Sequence, residues 1–442
     1  MTSCHATRCW CARHVRLSRS GVCTKTTRSC ERGERSNSAT NYLAGELNVE
    51  DFTGRVGFTG GSPFGAVGSV QPVIELESLD AFDAYLDGHK SLTDVACQGL
   101  DLRERSWRLF EADVREAFFL GCQLEGSALE YLNGHGACVF PALEGLPFRS
   151  FRGDLYDAAE LYAGYVPGEH QSYEVTPDAR CYHEHKRTAA SLHVVGTLAE
   201  RIHDHAVDNA LHQHLAQVGP ESVVAIMGGH GLTRTDNAYI QVAQLGRALT
   251  AAGFYVATGG GPGAMEAANF GAWMAAHPPE ALDQALSVLA GAATFEPVGE
   301  WLDAAFEVRS RWPQPEPATG SSLGVPTWHY GHEPPNVFAT EIAKYFANSI
   351  REDGLLAIAL AGVVFAPGSA GTIQEVFQDA AQNHYESFGK VSPMVFLDVE
   401  YWTTVKPIYP VLQHLAAGKP YGDVLAAFDD IEPIIDFLIT HR

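Results

Sequence analysis

Three apolar runs in the C-terminal half of the chain each end in a glycine-rich turn, and this pattern constrains the fold most. Val223-Val224-Ala225-Ile226-Met227 runs into Gly228-Gly229, Phe254 to Thr258 into Gly259-Gly260-Gly261, and Val363 to Ala366 into Pro367-Gly368. Short apolar runs without polar alternation read as strands buried on both faces. Between them lie segments with helical spacing, Ala238 to Ala252 and Pro262 to Ala276, with Pro262 at a favoured first-turn position. A further helix is expected over about 190–218, and short strands at Leu323 to Val325 and Met394 to Leu397. Strands alternating with helices build a parallel sheet whose ligand sites lie at the strands' C-terminal ends. The expected fold is α/β over residues 190–442, a Rossmann-like parallel sheet with helices on both faces.

All three glycine loops fall at that edge. A single such loop says little, because tight strand-to-helix turns need glycine for backbone reasons alone. Three together make a trough lined by N–H groups, suited to an anion because helix N-termini carry unpaired donors and a positive dipole end. None fits GxxxxGK[ST], and Gly259 to Gly263 departs from the spacing of a dinucleotide fingerprint. A monophosphate is the natural size of ligand. The candidate phosphate-binding residues are Gly228, Gly229, Gly259, Gly260, Gly261, Gly263, Gly368, Ser369, Gly371 and Thr372.

The third loop, VVFAPGSAGTIQE from Val363 to Glu375, ends in an acid. Thr372-x-x-Glu375 has capping-box spacing, so Glu375 is either a helix cap or a catalyst, and the two roles are compatible. Arg351 belongs to a polar stripe with Glu341, Lys344 and Asn348 at helical spacing. Its fork suits a phosphate or a carboxylate; the alternative is a solvated helix face. Glu266 either compensates the dipole of its helix or reaches ribose hydroxyls.

The stretch GGHGLTRTDNAYIQVAQLGRALTAAGFYVATGGGPGAMEAANFGA, followed by PGSAGTIQE, resembles the Lonely Guy family, once labelled lysine decarboxylases. That family carries a GGG loop and PGGxGTxxE, and the resemblance covers residues 190–400. The phrase Glu333-Pro334-Pro335-Asn336 and the overall length are similar to the larger bacterial branch, the nucleotide 5′-monophosphate nucleosidases. The resemblance implies hydrolysis of the N-glycosidic bond of a nucleoside 5′-monophosphate to free base and ribose 5-phosphate, without a cofactor. It also implies a homodimer or higher homo-oligomer, and catalytic roles for Arg351 and Glu375. Ser369 stands where the signature has its second glycine, and the Arg-to-Pro spacing is one residue longer than in short members. A carboxylate below the ribose ring suits the chemistry, since breaking the C1′–N bond builds positive charge there. The alternative is a nucleotide or cofactor carrier without turnover. A decarboxylase would need a lysine in a recognisable pyridoxal-phosphate setting, which is missing.

Net charge is −23, which disfavours nonspecific binding to nucleic acid or an anionic membrane. The longest apolar run, Leu355 to Ala366, is too short to span a bilayer. Residues 1–45 read as a disordered basic leader, with Arg8, Arg13, Arg16, Arg19, Lys25, Arg28, Arg32 and Arg35 against Glu31 and Glu34. It lacks the apolar segment of a secretory signal. Five of the nine cysteines lie there, without zinc-knuckle spacing, and the scattered rest fit a cytoplasmic protein.

In the N-terminal region, 46–140, small or apolar residues recur every fifth position from Cys97 through Leu102, Trp107, Ala112, Ala117 and Cys122 to Ser127. A second column holds Leu109, Val114, Phe119, Leu124 and Leu129. The pattern resembles pentapeptide repeats, which stack into a β-helix; an amphipathic helix from Trp107 to Phe119 is the alternative. Residues 141–189 read as an extended, aromatic-rich connector. The HxH pairs between His183 and His214 sit on helices where i and i+2 diverge, so no metal is expected. The insertion at about 280–320 is either a lid over the base or a surface feature.

Overall fold

The computed structural model describes residues 73–191, 193–315 and 319–442. The basic leader and the first part of the N-terminal region lie outside the described residues. The described residues form one compact unit.

Two parallel sheets organise that unit. The first contains β1 (Ile74–Leu76), β2 (Val95–Gln98), β3 (Phe118–Leu120) and β4 (Cys138–Phe140), paired in chain order. Each strand joins the next about twenty residues on, as in Ile74 with Val95, Ala96 with Phe118, and Phe118 with Cys138. Helices Leu79–Gly88, Ser106–Glu111 and Gly126–Gly134 fill the connections. The repeat is therefore a strand–helix step, and the pentapeptide coil is not what forms. The backbone carries the longer period too: Asp94 and Glu116 both take φ of 59°, and Gly99 and Gly121 take 67° and 63°. The five-residue columns are buried at Cys97, Leu102, Ala112, Ala117, Cys122, Leu109, Val114 and Phe119, all but Leu109 outside the α-helices. Helix formation breaks the register, turning Trp107 and Leu129 outward because a helix cannot face every fifth residue inward.

The second sheet contains β5 (Val223–Met227), β6 (Tyr255–Thr258), β7 (Ser322–Gly324), β8 (Glu341–Ile342), β9 (Gly362–Phe365), β10 (Met394–Leu397) and β11 (Leu425–Phe428). Its order is β11-β10-β9-β5-β6-β7-β8, with every pair parallel. Every residue of β5, β6, β9 and β10 is buried, so helices cover both faces, and the expected α/β class holds. The chain lays β6, β7 and β8 on one side of β5, then crosses to place β9 on the other. That reversal opens a crevice beyond the C-terminal ends of β9, β5 and β6, where doubly wound sheets bind ligands. The three glycine loops are the loops that leave these three adjacent strands.

Several local expectations change. The stripe through Glu341, Lys344 and Arg351 is not one helix: Glu341–Ile342 is a strand, and the helix carrying Arg351 spans Asn348–Ile358. Backbone bonds from Ile342 N–H to Tyr156 and from Ala343 N–H to Gly324 draw this stretch into the sheet edge, so tertiary pairing overrides helical spacing. Pro262 precedes its helix, which spans Ala264–Met274, because Gly263 at φ 72° turns the chain first. Within 141–189, Tyr156, Tyr162 and Tyr173 are buried in the main core and Pro177–Ser191 is helical. No helix of the described residues is long and apolar enough to cross a membrane.

Candidate functional site

A cavity of about 500 Å³ opens at the crevice, and nine of the expected residues line it: Gly228, Gly229, Gly259, Gly261, Arg351, Ser369, Gly371, Thr372 and Glu375. Gly260, Gly263 and Gly368 sit behind the lining and shape the loops instead. Gly260 accepts a bond from Asn336 N–H at 2.8 Å. Gly229 N–H donates to Pro367 at 3.1 Å, and Ala264 N–H to Gly229 at 3.1 Å. The three loops are thus laced together, with these carbonyls accepting N–H groups from neighbouring segments. A buried polar cluster fixes the middle loop: Thr258 Oγ1 donates to Asn269 at 2.7 Å, and Asn336 Nδ2 reaches Asn269 at 3.0 Å and Gly261 O at 3.3 Å.

Helix Ala370–His384 points its first turn into the cavity, with Ser369 at the N-cap and its hydroxyl making no capping bond. Ser369 adopts a negative φ of −108°, so its φ does not call for the signature's glycine here. Thr372 lies inside this first turn instead of at the cap. The capping-box role of Glu375 is therefore excluded: the helix starts too early for Glu375 to reach back to the cap N–H.

Glu375 instead faces Arg351, with Nη1 and Oε1 3.7 Å apart and each side chain 13% exposed. The longer Arg-to-Pro spacing does not carry Arg351 out of the site, since its Nε donates to Val325 O at 3.1 Å and holds the fork in place. Burial pushes the Glu375 carboxyl up to about 7; Arg351 pulls it down and the nearby Glu352 charge adds to the rise. Such a carboxyl is poised to exchange charge near neutrality.

Met227, His230, Met265, Pro326, Thr327, Tyr330, Glu333, Glu352, Ala370 and Gln374 complete the lining, and sequence reasoning did not single them out as site residues. Met227, His230, Met265, Ala370 and Gln374 lie inside the three glycine-loop motifs and Glu333 in the phrase Glu333-Pro334-Pro335-Asn336, while Pro326, Thr327, Tyr330 and Glu352 carried no sequence signal. The wall carrying Tyr330 and Glu333 is anchored by a fully buried cluster, in which Lys344 Nζ meets Asp178 at 2.5 Å and Trp328 Nε1 donates to it at 2.9 Å. Tyr173 donates to the same carboxylate at 3.0 Å and His332 approaches it at 3.5 Å. Burial pushes the Asp178 carboxyl up, but Lys344, His332 and these bonds outweigh it and hold it below the usual range.

Glu266 does not reach the cavity. It is buried against Arg234, with Nη2 at 2.5 Å and Nε at 3.1 Å, and accepts from Trp301 Nε1 at 3.1 Å. Trp301 belongs to the 280–320 insertion, which folds into helices Pro279–Leu289 and Val298–Arg311. None of its described residues lines this cavity; Trp301 buttresses the second loop through Glu266 and Arg234, and Ala293 to Glu296 line a smaller neighbouring cavity of about 290 Å³ that shares His230 with it. The histidines also have structural partners: His185 meets Glu200 at 3.0 Å, His203 meets Tyr156 at 2.7 Å, and His214 meets Tyr255 at 2.8 Å. Among the described residues, no group of three or more His, Cys, Asp or Glu is placed to hold a metal.

Two glycines separate stability from function. A Cβ on Gly263, at φ 72°, would lie 2.5 Å from Gly229 O and 2.6 Å from His230 O. Gly263→Ala is expected to cost about 2–4 kcal/mol in urea unfolding, from clash and strained backbone together. A Cβ on Gly259 would meet Arg351 Nη2 at 2.4 Å and Met265 Sδ at 2.6 Å, both ends of movable side chains. Gly259→Ala should leave the unfolding midpoint nearly unchanged while displacing Arg351 and weakening ligand binding.

No family model matches the chain, and no curated protein matches it. Solved structures do. The molybdenum cofactor carrier protein of Chlamydomonas reinhardtii is 17% identical, with 49% of this chain and 96% of that one covered and a TM-score of 0.30. The molybdenum cofactor binding protein of Rippkaea orientalis is 15% identical over 49% and 95%, TM-score 0.31. The structural-genomics target TM1055 is 16% identical over 50% and 99%, TM-score 0.31. Likeness of this size carries no argument about function, which rests on the site itself.

Proposed function

We propose that the chain hydrolyses the N-glycosidic bond of a nucleoside 5′-monophosphate, releasing the free base and ribose 5-phosphate. The observation that carries this reading is the Glu375–Arg351 pair, buried in a cavity whose floor is the first turn of helix Ala370–His384. In the proposal the phosphate sits on the N–H groups of that turn and the hydroxyls of Ser369 and Thr372, where donors and dipole favour an anion. Glu375 lies one turn further along, about 4.5 Å by the helical rise, which places its carboxylate beside the ribose. As the C1′–N bond lengthens, the electron pair leaves with the base and positive charge grows on the ring. Ionised Glu375 stabilises that charge and takes a proton from the attacking water, whose oxygen bonds to C1′. The base takes a proton from solvent as it leaves and Glu375 afterwards returns its own to solvent, so one water is consumed overall. Arg351 opposes the effect of burial by favouring the ionised form of Glu375, and offers its remaining N–H groups to the phosphate. The motif PGSAGTIQE supports the same reading.

The test is a panel of nucleoside monophosphates assayed for free base. Release from at least one is expected; binding without release from any would make the protein a carrier. A homodimer around this site belongs to the same proposal and is checked by the mass in solution.

The pH dependence follows from the state of Glu375. The ionised form is the active one, and its carboxyl titrates at about 7. Below that, kcat/KM should fall about tenfold per pH unit, and above it level off. The substrate phosphate titrates about a unit lower, near 6, so a limb at 7 is assigned to the enzyme. A profile flat from pH 6 to 8 would remove Glu375 as the base.

A further inference from the structure

The carbonyl of Gly368 in the third loop is gripped from outside the cavity. Lys406 Nζ donates to it at 2.7 Å, and Tyr401 Oη donates to it as well. Neither residue lines the cavity. Both come from the turn after β10, where Lys406 N–H bonds to Tyr401 O at 2.7 Å. This is a π-turn over Tyr401–Val405, and its i+5 closure brings Tyr401 and Lys406 to the same side. The Lys406 ammonium lies 5.6 Å over the Tyr401 ring. The intervening Trp402 donates Nε1 to Phe365 O at 3.2 Å, fastening the same turn to the end of β9. Three side chains of one turn therefore hold the C-terminal end of β9 and the loop that follows it.

We propose that Tyr401 and Lys406 are positioning residues for the phosphate: they set the Gly368–Ser369 peptide so that its N–H faces the ligand. The inference rests on the reading of the first turn as a phosphate site. In a trans peptide the C=O and N–H point in opposite directions. A carbonyl pinned outward to an ammonium and a phenol leaves the Ser369 N–H directed inward, in line with the donors of Ala370 and Gly371. Two donors on one carbonyl, one of them charged, also polarise the peptide and strengthen the N–H at its other end. The loop could otherwise flip this peptide and present a carbonyl oxygen to the phosphate, which would repel it. A cation held behind the loop adds attraction without occupying the cavity.

The experiment compares Lys406→Met, Lys406→Arg and Tyr401→Phe with the parent protein on a nucleoside 5′-monophosphate and on the same nucleoside without phosphate. Lys406→Met is expected to raise KM for the monophosphate about tenfold or more, with kcat within about threefold. Turnover of the bare nucleoside should stay unchanged. Lys406→Arg should restore much of the loss, since it can still donate to the carbonyl, and Tyr401→Phe should show a smaller effect of the same kind. Inorganic phosphate, as a competitive inhibitor, should weaken by the same factor as the monophosphate. Equal losses on nucleoside and monophosphate, or an unchanged KM, would overturn the proposal. Calorimetric binding of inorganic phosphate separates this from the hydrolase reading. If the parent binds phosphate but releases no base, hydrolysis fails and the positioning role is still decided by the Lys406→Met affinity. If the parent binds neither phosphate nor monophosphate, the positioning role fails as well.

Discussion

Glu375→Gln is expected to lower base release from a nucleoside monophosphate by about 10²–10⁴-fold while the nucleotide still binds. The amide keeps the shape and one acceptor but can neither take a proton nor place full negative charge under the ring. The parent carboxyl sits 3.7 Å from Arg351 in a buried setting, where an electrostatic contribution is large because little water screens it. Stability provides an independent check on the same variant. Burial raises the folded-state value of Glu375 to about 7 from 4.5. The stability tied to its protonated form is thus fully present below about 4.5 and is lost as pH rises through 7. The cost of ionising it in place is on the order of 3 kcal/mol above pH 7. Glu375→Gln removes that cost, so the variant should be more stable than the parent at pH 8 and nearly equal to it at pH 4. Loss of activity together with a gain in stability at pH 8 would identify a group kept for chemistry. A variant equally inactive and unstable at pH 8 would contradict that role.

The second large effect is structural. Lys344→Met should cost about 3–5 kcal/mol, because it strands the Asp178 carboxylate in a fully buried site. Trp328, Tyr173 and His332 still surround that carboxylate, but two neutral donors and an imidazole 3.5 Å away do not replace an ammonium at contact distance. The loss should appear as a lower urea midpoint with an unchanged slope. Asp178→Asn combined with Lys344→Met should recover a substantial part of it, since the amide no longer demands a counter-charge. If the single and double variants are equally unstable, packing around Trp328 matters and the ion pair does not. The cluster anchors the segment bearing Tyr330 and Glu333, so in both variants nucleotide binding should weaken as well.

Much of the site was readable because it lies in one kind of local pattern. A buried strand, a glycine turn and a helix start are contiguous in sequence, so MGGHG, TGGGPGAMEAA and PGSAGTIQE each announced themselves. The roles of Arg351 and Glu375 came from resemblance, and the structure places the two side chains in one cavity. Residues brought in from elsewhere carried no comparable signal. Tyr330, Glu333 and Glu352 lie in irregular chain or on a helix flank, and Tyr401 and Lys406 act through a carbonyl of another segment. Helical spacing misled where a partner strand intervened: Glu341 and Lys344 look helical until Tyr156 and Gly324 supply the backbone bonds that draw Glu341–Ile342 into the sheet and leave Lys344 in irregular chain. The N-terminal repeat was visible as a repeat, but its five-residue reading came from small residues in extended stretches and overlooked the helices between.

The amino-acid order alone determined the class of the main sheet, the edge on which its loops gather, and an acid shortly after the third glycine loop. These depend on short-range properties: burial of an apolar run, the φ freedom of glycine and the donors of a helix start. Only the tertiary structure decided that the capping box is not formed, that Arg351 meets Glu375, and that Glu266 belongs to Arg234 instead of a ligand. It also decided which strands became neighbours, and so which loops share a cavity. The reason is physical. Charge partners and the burial that shifts a carboxyl to about 7 arise from groups far apart in the chain, and no local spacing records them.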